Sequence, residues 1–185
     1  MEKVIEIKVE DIKRAFDEAN DNVKNCILNL FPQIREALPV TYRVKTFEDA
    51  CREVDIDPTQ YISKYDGEAA DVIAYMKLRV ICKALNEGWT PRFVEGEWRY
   101  FPYFYLYTDE EISRMSEEEK SRVVYRSYNH AYATGGVSCA YAGYDSAYVR
   151  ASIGSRLAFK TRELAKYAGR QFIDLWVVFC LTKKK

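Results

Sequence analysis

A window of 39 residues between Lys120 and Lys160 contains no lysine, glutamate, glutamine, methionine or tryptophan. These five types fill 40 of the other 146 positions, so independent sampling would leave such a gap on the order of once in 10⁵ trials. Alanine, tyrosine, serine and glycine crowd into the window instead, with the single asparagine Asn129. Tightly turned strands favour this composition, and the pattern predicts extended structure from Gly136 to Phe159 with a turn at 142–145.

The five absent types also share a genetic property, because every one of their codons ends in a purine. Strand packing that excludes long charged side chains is the competing explanation, but arginine is as long as lysine and occurs at Arg122, Arg126, Arg150 and Arg156. A segment whose codons end in pyrimidines could encode the residues that the interior of the window uses. This pattern indicates targeted mutation of adenines, as a diversity-generating retroelement produces.

The first 88 residues predict a mainly helical portion, apart from a short opening strand, VIEIKV, at 4–9. Thr46 and Asp57 are the expected N-caps of two helices, with Pro58 at the first helical position of the second. The strongest helix is predicted from Glu68 to Asn86, and Gly88 is its expected stop. The predicted buried face of this helix consists of Ala69, Val72, Ile73, Met76, Val80 and Ala84.

Residues 89–185 predict a compact sheet-and-helix module. The segment at 92–107, RFVEGEWRYFPYFYLY, predicts a hairpin with Gly96 in its turn, followed by an aromatic core strand. Two capping boxes, from Thr108 to Glu111 and from Ser116 to Glu119, predict short helices. A helix capped by Thr161 and a buried strand at 176–181 close the predicted module. The helix capped by Thr161 is predicted to have an apolar stripe of Leu164, Ala168, Phe172 and Leu175. The predicted fold class is therefore α+β.

The window and the segment after it also resemble a known family. RVVYRSYNHAYATGGVSCAYA at 122–142 and SIGSRLAFKTRELAKYAGRQFIDLW at 152–176 are similar to variable proteins of diversity-generating retroelements in phages and prophages of gut Bacteroidota. The likeness is best over 121–180 and weaker over 46–57 and 83–89. It implies a C-type-lectin-like variable region in which the diversified, hypervariable stretch binds ligand.

The window also has the chemistry of an adaptable binding surface. Tyrosine combines a large rigid apolar face with a hydroxyl group, and serine, glycine and asparagine add flexible hydrogen bonding, as in antibody paratopes. A ligand-facing surface is favoured over the alternative, an aromatic core of a small sheet. The candidate ligand-binding residues are Tyr128, Asn129, His130, Tyr132, Thr134, Ser138, Tyr141, Tyr144, Asp145, Ser146, Tyr148, Arg150 and Ser152.

Several kinds of chemistry are disfavoured by the sequence. Acidic and basic residues balance at 28 each, so no global field attracts nucleic acid. The five cysteines are widely spaced and form no CxxC pair, and His130 is the only histidine, so neither a disulfide framework nor a metal site is indicated. Cys139, His130 and Asp145 lack an activating motif for nucleophilic catalysis. We therefore expect no enzyme activity and no cofactor.

The expected function is non-enzymatic recognition of a protein or glycan ligand, for instance on a host cell surface. The alternatives are a phage-encoded intracellular sponge or inhibitor of a host nucleotide or protein, and a virion structural protein. A deep basic pocket would favour the sponge, and a broad exposed tyrosine face the receptor. We expect cytoplasmic synthesis without a signal peptide and no membrane insertion. Virion association and a homo-oligomer are both compatible with the sequence.

Overall fold

A computed structural model describes residues 6–92, 94–121, 123, 136–146 and 155–181, and for Asp21, 136–146 and Ser155 it describes the backbone alone. Within these residues the chain is α+β, as predicted. Short 3-10 helices span Pro32–Ala37 and Ser155–Leu157. The α-helices and strands, in chain order, are α1 Val9–Glu18, α2 Asp21–Leu30, α3 Val40–Arg43, α4 Phe47–Glu53, α5 Pro58–Ser63, α6 Ala70–Leu85, β1 Trp98–Tyr107, α7 Asp109–Arg114, α8 Glu117–Ser121, β2 Gly136–Ser146, α9 Arg162–Gln171 and α10 Ile173–Cys180.

The chain forms two compact units, Met1–Arg43 and Val44–Lys185, whereas the sequence analysis divided it after residue 88. The first unit has its own small core, built from Ile12, Phe16, Ile34 and Leu38. The predicted opening strand is wrong where it can be compared, because residues 6–8 form no strand and Val9 begins α1. Residues 4 and 5 lie outside the described residues.

The second unit begins with two helices whose starts the sequence predicts correctly. Thr46 caps α4 in a reciprocal capping box with Asp49, and the Asp57 side chain accepts a hydrogen bond from the Gln60 amide at the start of α5. Pro58 occupies the first turn of α5. Both starts are encoded by local hydrogen bonds, which is why sequence reasoning finds them.

Helix α6 is present as predicted, but its buried face is different. Ala74, Leu78, Ile81 and Leu85 form the buried stripe, whereas Ala69 precedes the helix and Val72 is exposed. Helix α6 packs against both α4 and α10, so Val80 and Ala84, the two correctly predicted members, are buried as well. Gly88, with φ at +84°, ends this segment in the left-handed region, which confirms the predicted stop.

The sheet is an antiparallel pair of β1 and β2. A bulge interrupts the register between Tyr103 and Phe104, and β1 also exchanges two backbone hydrogen bonds with Phe159 through Tyr100, at 3.1 and 2.9 Å. Gly96 lies in a turn with φ at +81°, but Arg92 and Val94 form no strand. The predicted hairpin is therefore wrong, and β1 pairs with a segment far along the chain.

Three further predictions for the second half are wrong. Strand β2 runs without interruption through 142–145, where a turn was predicted. The apolar segment at 176–181 does not form a strand, because helix α10 extends to Cys180. The predicted continuous stripe of the preceding helix is broken at Phe172, between α9 and α10. Both capping boxes and the Thr161 cap are confirmed.

Candidate functional site

Three tyrosines form a row on β1: Tyr103, Tyr105 and Tyr107, which we call the tyrosine row. Residues two apart on a strand share a face, and the rings of neighbouring members lie 5.8 and 6.2 Å apart between centroids. Tyr103 is 44% exposed and Tyr105 is 47% exposed. The prediction that this segment is a core strand holds for Phe101 and Pro102 but is wrong for the two exposed tyrosines.

The register brings predicted ligand-binding positions of β2 alongside this row. Tyr141 lies opposite Tyr103, and Ser138 lies opposite Tyr105. Directly opposite residues of an antiparallel pair belong to the same face of the sheet. The β1 tyrosines therefore extend the predicted binding surface, and sequence reasoning missed them because it read their aromatic run as core.

Three more predicted site residues also lie on β2. Tyr144 is opposite Tyr100, Asp145 is opposite Arg99, and Ser146 is opposite Trp98. The other predicted site residues lie outside the described residues. They are Tyr128, Asn129, His130, Tyr132, Thr134, Tyr148, Arg150 and Ser152.

Arg99 sets the electrostatics at the Trp98 end of the sheet. Its side chain is completely buried on β1, and a guanidinium group keeps its charge in proteins. Arginine is almost never fully buried unless it is paired. Asp145 lies directly opposite Arg99 in the register. Its carboxylate is therefore a candidate partner of the buried guanidinium as well as a candidate ligand-binding group.

A second concave site lies between α6 and the segment around Arg156, and we call it the basic pocket. Its volume is about 370 Å³, and its lining includes three cationic side chains, Arg79, Lys83 and Arg156, and no carboxylate among the described residues. Tyr61 and Trp89 contribute aromatic surface to the same wall. Ligand sites commonly have volumes of roughly 300–1,000 Å³. Sequence reasoning missed this pocket, because Arg79 and Lys83 are far from Arg156 along the chain.

The floor of the basic pocket is held together by buried hydrogen bonds. The Cys82 thiol and the Asn86 amide both donate to the Ala158 carbonyl, at 3.0 and 2.8 Å. The side-chain oxygen Oδ1 of Asn86 accepts from the backbone N–H of Lys160 at 3.0 Å. Since these polar groups satisfy one another, the floor is formed in the absence of a ligand.

Burial raises the pKa of two acidic side chains that line the basic pocket. Burial, followed by a hydrogen bond with Tyr65, raises the pKa of Tyr61 to about 12, although Arg79 acts in the opposite direction. Burial raises the pKa of Cys82 to about 12, although its hydrogen bond with Asn86 lowers it. Both groups are therefore protonated near neutral pH and present no negative charge to the pocket.

We predict that Cys82 resists alkylation in the folded protein. Only the thiolate reacts, so iodoacetamide at pH 8 should modify Cys82 at least about 100-fold more slowly than the exposed Cys26, as measured by peptide mass spectrometry. The raised pKa of Cys82 also makes the free energy of unfolding depend on pH. The contribution of the protonated thiol is complete below its ordinary pKa of 9.0 and is lost as pH rises towards the folded value of about 12. Denaturant should equalise the two rates, and equal rates in the folded protein would contradict the buried thiol.

Membrane-spanning helices, metal-binding clusters and similarity to known proteins would each indicate a function. Across the described residues no helix combines the length and apolar character needed to span a bilayer. In the same part of the chain, histidine, cysteine and acidic side chains form no cluster of three or more that could hold a metal ion. No protein-family model matches the chain, and no curated protein or solved structure is significantly similar to it.

Proposed function

We propose that the chain is a non-enzymatic recognition protein that displays a retroelement-diversified surface rich in tyrosine and serine and containing Asn129. In this proposal the gene belongs to a phage or prophage of gut Bacteroidota, and residues 89–185 form a C-type-lectin-like module. The ligand is a protein or a glycan, such as one on a host cell surface. The proposed surface could act in a virion or in a homo-oligomer, and the proposal requires neither.

The observation that carries the proposal is the exposed tyrosine row beside β2. Tyr103 and Tyr105 expose nearly half of their surface, and their register partners Tyr141 and Ser138 belong to the window with the restricted composition. Exposed aromatic rings are normal singly, but a row of them indicates a contact surface. Tyrosine supplies much of the binding energy of adaptable interfaces at low entropic cost.

The α+β arrangement supports a rigid platform for such a surface. Helix α9 packs against both β1 and β2, and Phe104 on β1 packs against Trp176 of α10, with ring centroids 6.0 Å apart. A surface that is rewritten by mutation needs a scaffold that is held together mainly by residues outside that surface. The helices after the window supply contacts of this kind.

One of the alternative functions is favoured by a separate observation. A phage sponge or inhibitor of a host nucleotide would need a concave cationic site, and the basic pocket provides one. The virion structural protein without a ligand has no such specific support.

We predict that threonine at positions 103 and 105 removes binding and leaves the fold intact. The double variant Tyr103→Thr and Tyr105→Thr keeps residues that favour strands, and β-propensity differences span only about 1 kcal/mol, so the free energy of unfolding should fall by no more than about 1 kcal/mol. Binding of fluorescently labelled protein to a panel of intact Bacteroidota cells should fall at least tenfold. Joint serine substitution of Tyr128, Tyr132, Tyr144 and Tyr148 should have the same effect.

The matched control removes exposed apolar surface elsewhere. Val23→Ser and Leu30→Ser act on exposed residues of α2 and should leave cell binding unchanged. Loss of the cooperative thermal transition in the tyrosine variants would show that these side chains belong to the core. Retained binding in folded tyrosine variants would place the recognition surface elsewhere.

A further inference from the structure

We propose that the basic pocket binds a small organic phosphate that carries a flat ring, with the chemistry of a nucleoside monophosphate. This inference concerns a site separate from the tyrosine row. It does not rest on the proposed recognition surface, and it specifies the ligand class of the alternative function, a nucleotide sponge. It depends on three features of the pocket: the charge of its lining, the aromatic surface beside that charge, and the closed floor.

The charge of the lining favours an anion. Arg79, Lys83 and Arg156 line the cavity, and none of the three forms an ion pair with a carboxylate in the described part of the chain. By contrast, the nearby Lys160 is paired with Glu87 at 2.9 Å. Three cations line one concavity, and a bound phosphate could accept charge-assisted hydrogen bonds from them. Arg79 also lies over the Tyr75 ring, with Cζ 5.8 Å from its centroid.

The aromatic lining favours a ring attached to the anion. The side chains of Trp89 and Tyr61 line the same cavity as the three cations, together with apolar surface from Ile56, Val80 and Pro91. A purely inorganic anion would leave this apolar surface in contact with water. A flat base could instead pack against the indole and bury it, since base-aromatic stacking contributes roughly 1–3 kcal/mol per base.

The floor explains why the site is available without rearrangement. Asn86 is 3% exposed, and its amide joins α6 to Ala158 and Lys160 through the bonds at 2.8 and 3.0 Å. The Trp89 backbone N–H donates to the Asn86 carbonyl at 3.0 Å, which fixes the chain just beyond α6. The cations and the indole are therefore attached to a connected framework, so binding does not incur the free-energy cost of ordering that framework.

The test uses the full-length protein and isothermal titration calorimetry with four probes: adenosine 5′-monophosphate, adenosine, ribose 5-phosphate and inorganic phosphate. We expect saturable binding of adenosine 5′-monophosphate at one site, and binding at least tenfold weaker for each of the other three. Because the attraction is charge-assisted, the dissociation constant should increase as salt is raised.

Two variants and one matched control locate the site. Lys83→Gln and Arg156→Gln each remove one cation from an exposed side chain, so we expect both to fold and each to weaken binding of adenosine 5′-monophosphate at least tenfold. Lys13→Gln removes the same charge from an exposed position of α1 and should leave the dissociation constant unchanged. Thermal melting of all three variants confirms that folding is retained.

Three results would overturn the inference. Absence of saturable heat with adenosine 5′-monophosphate up to millimolar concentration would exclude the ligand class. Equal affinity for adenosine would show that the phosphate does not contribute to binding. Equal affinity for inorganic phosphate would show that the ring does not contribute. Binding that is unaffected by both Lys83→Gln and Arg156→Gln would place the ligand outside the basic pocket.

Discussion

Replacing Asp145 with asparagine is expected to lower the free energy of unfolding by about 3–5 kcal/mol, the typical cost of breaking a buried ion pair by removing one partner. Arg99 is fully buried, and Asp145 is its directly opposite residue across the sheet. Opposite residues have Cβ atoms roughly 4.5–5.5 Å apart. We therefore predict that the stability of the folded chain depends on this carboxylate.

A double-mutant cycle separates this effect from a general weakening of β2. The variants Asp145→Asn, Arg99→Met and their combination should give a coupling free energy of at least about 2 kcal/mol in urea unfolding. Asp66→Asn, which changes an exposed carboxylate outside the helices and strands, should cost no more than about 0.5 kcal/mol. Additive effects of the two sheet substitutions would show that Arg99 and Asp145 are not partners.

This result would also revise the candidate binding surface. Asp145 is one of the ligand-binding residues predicted from the sequence, and it is the only acidic residue in the window. A strong coupling to Arg99 would assign it to the scaffold. The predicted ligand-binding positions of β2 beside the tyrosine row would then be the uncharged ones, Ser138 and Tyr141. Tyr144 and Ser146 occupy the alternate register positions, on the other face of the sheet.

Replacing Trp176 with alanine is expected to cost about 3–5 kcal/mol, in the range for large aromatic residues in a core. Trp176 is 1% exposed, and its ring packs against Phe104 at 6.0 Å and Phe179 at 6.2 Å between centroids. Its indole N–H donates to the Ala168 carbonyl at 3.2 Å. The substitution removes the ring contact between Trp176 and Phe104 and the hydrogen bond to α9, while Phe104 keeps its packing against Ile173 and Val177.

Two companion variants make the measurement specific. Trp176→Phe keeps most of the apolar volume and loses the indole N–H, so it should cost clearly less than the alanine variant. Leu106→Ala, at a partly exposed position of β1, is the control and should cost less than about 1 kcal/mol. A small effect of Trp176→Ala in urea unfolding would contradict the core position of the Trp176 indole.

Local chemistry explains which elements the sequence predicts. Thr46, Asp57, Thr108 and Thr161 cap helices because their side chains accept hydrogen bonds from amides three residues ahead. Helix α10 escaped prediction because it is apolar on nearly every side, and a short apolar run does not distinguish a buried helix from a buried strand. The turn at Gly96 was correctly located, but no local signal shows which strand β1 pairs with.

The candidate sites show the same division. The composition of the window and the tyrosines within it can be read directly, so the predicted surface on β2 came from the sequence. The contribution of Tyr103 and Tyr105 depends on a register that joins distant segments. The basic pocket depends on α6 meeting the segment at 155–158, a non-local contact that periodicity and spacing do not encode.

Sequencing the gene and its neighbourhood tests the diversified recognition surface most directly. We expect a near-copy of codons 121–160 close to a reverse transcriptase gene, with differences confined to adenines of the copy. We also expect codons ending in pyrimidines through the interior of the window. Purine-ending codons scattered through the window, with no second copy nearby, would contradict the account.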